Sequence, residues 1–316
     1  MRIVFFGTPE FAVVTLGKLF EAGYDIVLVV TQPDKPRDRG KKLQCSPVKD
    51  MAVLNGVTVL APEYLKGNID FYYQLKSVAG DIFIVVAYGK ILPCDIIALP
   101  AMGCINIHAS LLPRFRGAAP IQRAVMEGEE ETGISLMYVN EEMDAGDIIA
   151  VSRTTIGNKN AKDLFAELSI TGATLLLEEL PRIASGLSIR TPQDSSLATY
   201  APVIRKEEGH LDFNKTPVEL DRIVRGMNAQ SGAYVNYKDR ILKIWETIPI
   251  EGYSSPAAYD GASAPGTVLS ASDEGLIISA LGGALKVTML QAPGKKVMAT
   301  GEYLRGNKIN KGDVFY

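Results

Sequence analysis

Residues 2–108 repeat one pattern, in which a short apolar run is followed by a helical stretch and then by another apolar run. Residues 2–6 are apolar and end in Gly7-Thr8-Pro9. Residues 9–21 carry Phe11, Val14, Leu19 and Phe20 at helical spacing, and Gly23 stops them. Residues 25–31 are rich in Val and Ile, as a strand buried on both faces must be. Ser46-Pro47 supplies a helix start, with a capping hydroxyl and a proline at the first helical position. Residues 57–60, 81–87 and 104–108 read as further strands. Parallel neighbours need a long crossover, and the helical stretches provide it. The expected architecture is a doubly wound α/β sheet, which binds ligands at the carboxyl ends of its strands.

Residues 118–127 and 161–184 read as helices, with Leu164, Leu168, Leu175 and Leu176 on the second, and residues 133–139 and 147–155 as strands. The texture then changes. The stretch from 188 is rich in Ser, Thr, Pro and charge and reads as a linker. Short β runs follow at 233–237, 240–244, 266–269, 276–279 and 285–290, separated by Gly and Pro. A length of 316 residues fits two domains. We expect a first domain over 1–187, a linker over 188–207 and a small all-β barrel, OB-like, over 208–316.

Composition narrows the function classes. A net charge of −3 excludes a generally basic, nucleic-acid-coating protein but allows a local basic patch. Cys45, Cys94 and Cys104 form no CxxC pair, which predicts reduced thiols and a cytoplasmic protein. The first apolar stretch is too short for a signal peptide, and no apolar run approaches the ~18 residues that span a bilayer. The first turn lacks GxGxxG, so dinucleotide binding is not expected, and no GxxxxGK[ST] is present. With only two histidines and no HExxH, no metal site is expected.

The two histidines are His108 and His210. His108 ends the run Cys104-Ile105-Asn106-Ile107-His108, at the end of a strand where ligands bind. Asn106 and His108 are two apart, so they share one face of the strand. An amide that donates to an oxyanion, beside an imidazole that carries a proton near neutrality, suits acyl chemistry. A carboxylate is needed to hold the imidazole. Asp144 is the candidate and Asp147 its rival, both in a glycine-containing turn. The alternative reading is a structural histidine at a strand end beside an ordinary turn.

The run from Asn106 through Ser110-Leu111-Leu112-Pro113-Arg114-Phe115-Arg116-Gly117 to Gln122 resembles the signature of folate-dependent formyltransferases. So do residues 3–12, 32–36 with 46–49, 86–93 and 200–209, so the similarity spans nearly the whole chain. It is closest to the members that formylate the methionine carried by initiator tRNA. The resemblance implies a Rossmann-like domain and an OB-like second domain, with 10-formyltetrahydrofolate as co-substrate. It implies Asn106, His108 and Asp144 as the catalytic trio. It places the folate against Ser110, Leu111, Leu112 and Pro113, with Tyr88 and Gly89 nearby. Two departures from the family pattern stand out. Ala145 replaces the usual threonine, and Asn228-Ala229-Gln230-Ser231-Gly232 replaces a Pro- and Trp-containing loop.

The partner is expected to be methionyl initiator tRNA, bound by a monomer with no membrane contact. Lys35, Arg37, Arg39, Lys41, Lys42 and Lys49 crowd one Pro- and Gly-containing loop against Asp34 and Asp38. Such a run is either a solvated face or a phosphate contact. The resemblance implies the latter, with Arg39, Lys41 and Lys42 on the tRNA. Residues 206–316 hold equal numbers of cationic and anionic side chains, so that domain carries no net basic signal. The alternative acceptor is a small amine, such as an amino-sugar nucleotide.

Overall fold

The computed structural model describes residues 1–37, 42–252 and 264–316. The chain forms two compact units. The first holds residues 1–120, 131–155 and 165–202; the second holds 121–130, 156–164 and 203–316.

The first unit is built on a sheet of β1 (Arg2–Gly7), β2 (Asp25–Val30), β5 (Val59–Leu60), β6 (Ile82–Val86), β7 (Cys104–His108), β9 (Glu131–Tyr138) and β10 (Ile148–Thr155). Outside this sheet, β3 (Lys35–Arg37) pairs antiparallel with β4 (Lys42–Gln44), and β8 (Arg116–Gly117) is a two-residue strand. The order across the sheet is β10-β9-β7-β6-β1-β2-β5. The five strands from β5 to β7 are parallel, and β9 and β10 are antiparallel additions. Strand order reverses between β1 and β6, as in a doubly wound sheet. The Rossmann-like expectation is met.

Residue type explains the layers. In β1, Val4 and Phe6 join a core with Leu28, Val30, Phe83 and Tyr88, closed by Phe71 and Leu75 of α3 (Ile69–Ser77) and Ile96 of α4 (Cys94–Ile97). Ile3 and Phe5 are equally buried and alternate with them along the strand. Phe11 of α1 (Glu10–Glu21) meets Phe165 of α6 (Ala161–Ala184) edge to face. Gly172 of α6 is pressed on Ile107, where a Cβ would come 2.7 Å from Ile107 Cγ2. Ser46 caps α2 (Pro47–Leu54) by accepting from the Lys49 N–H at 3.1 Å, and Pro47 opens the helix.

Residues 188–202 are hydrogen-bonded into this unit. Thr191 bridges Ile148, and β11 (Tyr200–Ala201) pairs in parallel with β8.

The second unit has an antiparallel sheet in the order β12-β13-β16-β15-β14, with β17 on β16. Its strands are β12 (Ala233–Tyr237), β13 (Arg240–Glu251), β14 (Val268–Ser272), β15 (Gly275–Ala280), β16 (Gly283–Gln291) and β17 (Met298–Ala299). Register shifts around Glu246 bend β13, which pairs with both β12 and β16. This is the small β domain expected of the second half. It also carries α7 (Pro217–Met227) and α8 (Thr300–Gly306), and α5 (Pro120–Glu127) falls largely in this unit. The β reading of this half overlooked α7, although Thr216-Pro217 and Glu219 form a capping box that marks its start.

Candidate active site

The site grows from β7. Asn106 faces Met137 and His108 faces Ser135 across the β7–β9 pair, while Val85 of β6 flanks Asn106 on the other side. The strand is held on both edges, so these two side chains sit on a rigid base. His108 is 5% exposed. Its Nε2 lies 2.9 Å from the Phe115 carbonyl oxygen, which can only accept, so Nε2 carries a hydrogen and donates. Its Nδ1 lies 3.6 Å from Asp144 Oδ2. Nδ1 is therefore the ring nitrogen that faces the carboxylate.

Asp144 arrives on the turn between β9 and β10, with φ at +52° in the left-handed region. Gly146 makes this turn possible, since a Cβ there would collide with the Tyr138 carbonyl oxygen. The backbone N–H of Gly117 donates to Asp144 Oδ2 at 2.8 Å. Asn106 Nδ2 donates to Oδ1 at 3.4 Å. Amide, imidazole and carboxylate thus converge, and Asp144 rather than Asp147 is the carboxylate brought to the imidazole. A set with two donors and one proton acceptor around a small gap can hold a developing oxyanion and accept an amine proton.

The loop after β7 is pinned by Ser110, which the sequence reading names only for the folate wall, and by Ser135, Thr199 and Gln193, which it does not single out. Ser135 Oγ donates to the Ser110 carbonyl at 2.7 Å and accepts from the Leu112 N–H at 3.0 Å. Ser110 is fully buried, and its hydroxyl donates to the Arg114 carbonyl at 2.7 Å. The Phe115 N–H donates to Thr199 Oγ1 at 2.9 Å. Gln193 and Arg116 hold the Asp144 turn. Apart from the Ser110–Arg114 bond, which spans four residues, these contacts join residues far apart in the chain, so no local pattern announces them.

The other expected residues fall as follows. Ser110, Leu111, Leu112 and Pro113 lie in the pinned loop directly after His108. The Tyr88 side chain is not at the surface: it is 1% exposed in the core, and burial pushes its phenol pKa upward. Only its backbone is available there, and the Tyr88 carbonyl accepts from Thr8 Oγ1 at 3.0 Å and Gln32 Nε2 at 2.9 Å. Gly89 is exposed. Arg39 and Lys41 lie outside the described residues, and Lys42 is described only as backbone, in β4 opposite Arg37. Lys49 is held by Asp34 at 2.8 Å, which raises its pKa. Lys35 donates to Gln32 Oε1 at 2.6 Å. Among the described residues, no group of three or more His, Cys, Asp or Glu is placed to hold a metal. Among them, too, no helix is long and apolar enough to cross a membrane.

Comparison with known proteins shows the family and the fold. Residues 1–172 match the formyl transferase family, and residues 203–308 match the formyl transferase C-terminal domain. The chain is 44% identical to the methionyl-tRNA formyltransferase of Caldanaerobacter subterraneus subsp. tengcongensis, covering 99% of both chains. It is 43% identical to that of Myxococcus xanthus, covering 98% of this chain and 96% of the relative. The fold is shared with HypX from Aquifex aeolicus, solved in complex with tetrahydrofolic acid, at a TM-score of 0.64 and 20% identity. That match covers all of this chain and 50% of HypX. The fold is also shared with an N-formyltransferase from Helicobacter canadensis, solved with folinic acid and dTDP-3-aminofucose, at a TM-score of 0.66 and 19% identity. That match covers 92% of this chain and 99% of the other. With both halves of the formyl transferase pattern present, and full-length identity above 40% to its tRNA-acting members, the chain belongs to the methionyl-tRNA formyltransferase family.

Proposed function

We propose that this chain transfers the formyl group of 10-formyltetrahydrofolate to the free amino group of methionyl initiator tRNA, and that Asn106, His108 and Asp144 carry the reaction. The observation behind the residue roles is that Asn106 Nδ2 and His108 Nδ1 both face one carboxylate at loose distances, 3.4 and 3.6 Å. Contacts this long are readily exchanged for shorter bonds to a reacting group, and such bonds tighten as charge develops.

The unprotonated amine attacks the formyl carbon, and the carbonyl electron pair moves onto oxygen. Asn106 Nδ2 and the protonated Nδ1 of His108 donate to that oxyanion. Asp144 accepts the proton that leaves the amine, directly or through a water, and is oriented for this by the Gly117 N–H. Collapse of the tetrahedral intermediate re-forms the carbonyl and breaks the bond to the folate nitrogen, which takes up a proton. The products are the N-formyl amide and tetrahydrofolate. No covalent enzyme intermediate is required, because a neutral α-amine with an ordinary pKa of ~7.7–8.0 is a competent nucleophile.

Ser110, Leu111, Leu112 and Pro113, with the backbone at Tyr88 and Gly89, are the folate wall in this reading. Arg39, Lys41 and Lys42 contact the tRNA phosphates, which would make binding salt-dependent. Residues 1–187 act as the catalytic domain together with the stretch 188–202 bonded into it, and 208–316 act as a tRNA-binding domain. The protein works as a monomer in the cytoplasm. The test is a competition in which labelled formyl donor is offered methionylated initiator tRNA and an amino-sugar nucleotide together. Label on the tRNA, as a blocked methionine amino group, is expected; label only on the sugar would refute the tRNA reading.

A further inference from the structure

We infer that Gln193 is a positioning residue for Asp144, locked in place by the buried guanidinium of Arg116. The inference rests on the reading of Asp144 as the proton acceptor.

A non-glycine residue in the left-handed region carries a conformational cost and persists only where its surroundings over-determine it. Asp144 is such a residue, at φ +52°. Its neighbour Ala145 offers the turn no side-chain hydrogen bond. Gln193 does so from outside: its Nε2 donates to the Asp144 carbonyl at 2.9 Å and to the Gly146 carbonyl at 2.8 Å. The two bonds bracket Ala145 and fix the backbone on which the Asp144 carboxylate is carried.

The amide itself cannot turn. Its Oε1 accepts from Arg116 Nε at 3.1 Å and from Nη2 at 2.8 Å. Both donors and both acceptor sites of the amide are therefore used. A flip would set the carbonyl against two carbonyls and the amino group against a cation. Arg116 is 4% exposed and offers a planar, pre-shaped fork, so the clamp has little freedom of its own. The neighbouring Gly117 N–H holds the carboxylate of the same aspartate. The Arg116–Gly117 segment thus grips Asp144 twice, once directly and once through Gln193. The side chain of Gln193 does no chemistry in this account.

A double-mutant cycle tests this. Gln193→Met removes every bond of the amide. Gln193→Glu removes both donated bonds but keeps an acceptor for Arg116, which preserves folding if the methionine variant does not fold. Each change is made in the wild-type chain and in Asp144→Asn, and thermal stability, kcat and KM for both substrates are measured. We expect each Gln193 variant to lower kcat by roughly 10- to 100-fold with little change in KM, as a displaced catalytic group does. In the Asp144→Asn chain, already slow, the same changes are expected to have almost no further effect. An equal fractional loss of kcat in both backgrounds, or an unchanged kcat in a folded Gln193→Glu protein, would overturn the inference. Wild-type turnover in Asp144→Asn alone would instead refute the catalytic reading on which it rests.

Discussion

The two halves of the site are built in opposite ways. Asn106 and His108 stand on β7, a strand paired on both edges and covered by α6 at Gly172. Asp144 stands on a turn whose backbone is left-handed and is kept there by hydrogen bonds from distant parts of the chain. The strand half is rigid because its backbone is paired on both edges; the turn half is rigid only while its outside partners hold. In the proposed mechanism the donors stand on a strand and the proton acceptor on a hung turn, so the gap between them is set by hydrogen bonding rather than by core packing.

This contrast makes the turn the fragile half, and Gly146→Ala is the sharpest way to break it. The added methyl collides with the Tyr138 carbonyl, so the turn must open and carry Asp144 away. Turnover is expected to fall by about 100-fold in a protein that still folds, measured by single-turnover formyl transfer.

The strand half is tested through Cys104 at the head of β7. Burial pushes its thiol from 9.0 to about 12. The folded chain then keeps a proton that the unfolded chain releases near 9, so this group's contribution to stability is present below pH 9 and lost as pH rises toward 12. Cys104→Ala removes that contribution to the alkaline decline, worth about 2 kcal/mol at most near pH 10.5. The check is a set of unfolding curves across pH 8–11 for both proteins. Burial pushes the Tyr88 phenol up as well, so part of the decline is expected to persist in the variant.

The smallest effect is expected from Ile107→Val, which removes the δ1 methyl beneath the site and keeps the Cγ2 that Gly172 faces. It should lower stability by about 0.5–1.5 kcal/mol and leave kcat unchanged, as denaturant titration and a transfer assay would show. A large loss of kcat there would mean that the strand half is no more rigid than the turn.

The same contrast explains what the sequence disclosed. Strand periodicity is local, so the shared face of Asn106 and His108 and their place at a strand end are legible from five consecutive residues. The alternation of apolar runs with Phe11-type helical spacing likewise foretells the parallel sheet, and Ser46-Pro47 foretells the start of α2. Spacing alone favours Asp144 over Asp147 only weakly and the family resemblance makes the choice; the physical reason lies in how residues 117 and 193 fold back on the turn. Ser135, Thr199, Arg116 and Gln193 act through non-local bonds and carry no motif that spacing could reveal. Tyr88 shows the converse limit: a position inside a family signature can be there for its backbone while its ring fills the core. Helix α7 could have been read from Thr216, Pro217 and Glu219, but the surrounding β-rich texture concealed it.

The central claim is that one amide, one imidazole and one carboxylate act together on a single carbonyl. It is tested most directly by single-turnover formyl transfer to methionylated initiator tRNA in Asn106→Ala, His108→Ala and Asp144→Ala, with folding checked by thermal unfolding. Folded proteins whose rates fall by at least about 100-fold are expected in each case. A folded His108→Ala or Asp144→Ala protein that transfers formyl at the wild-type rate would contradict that claim.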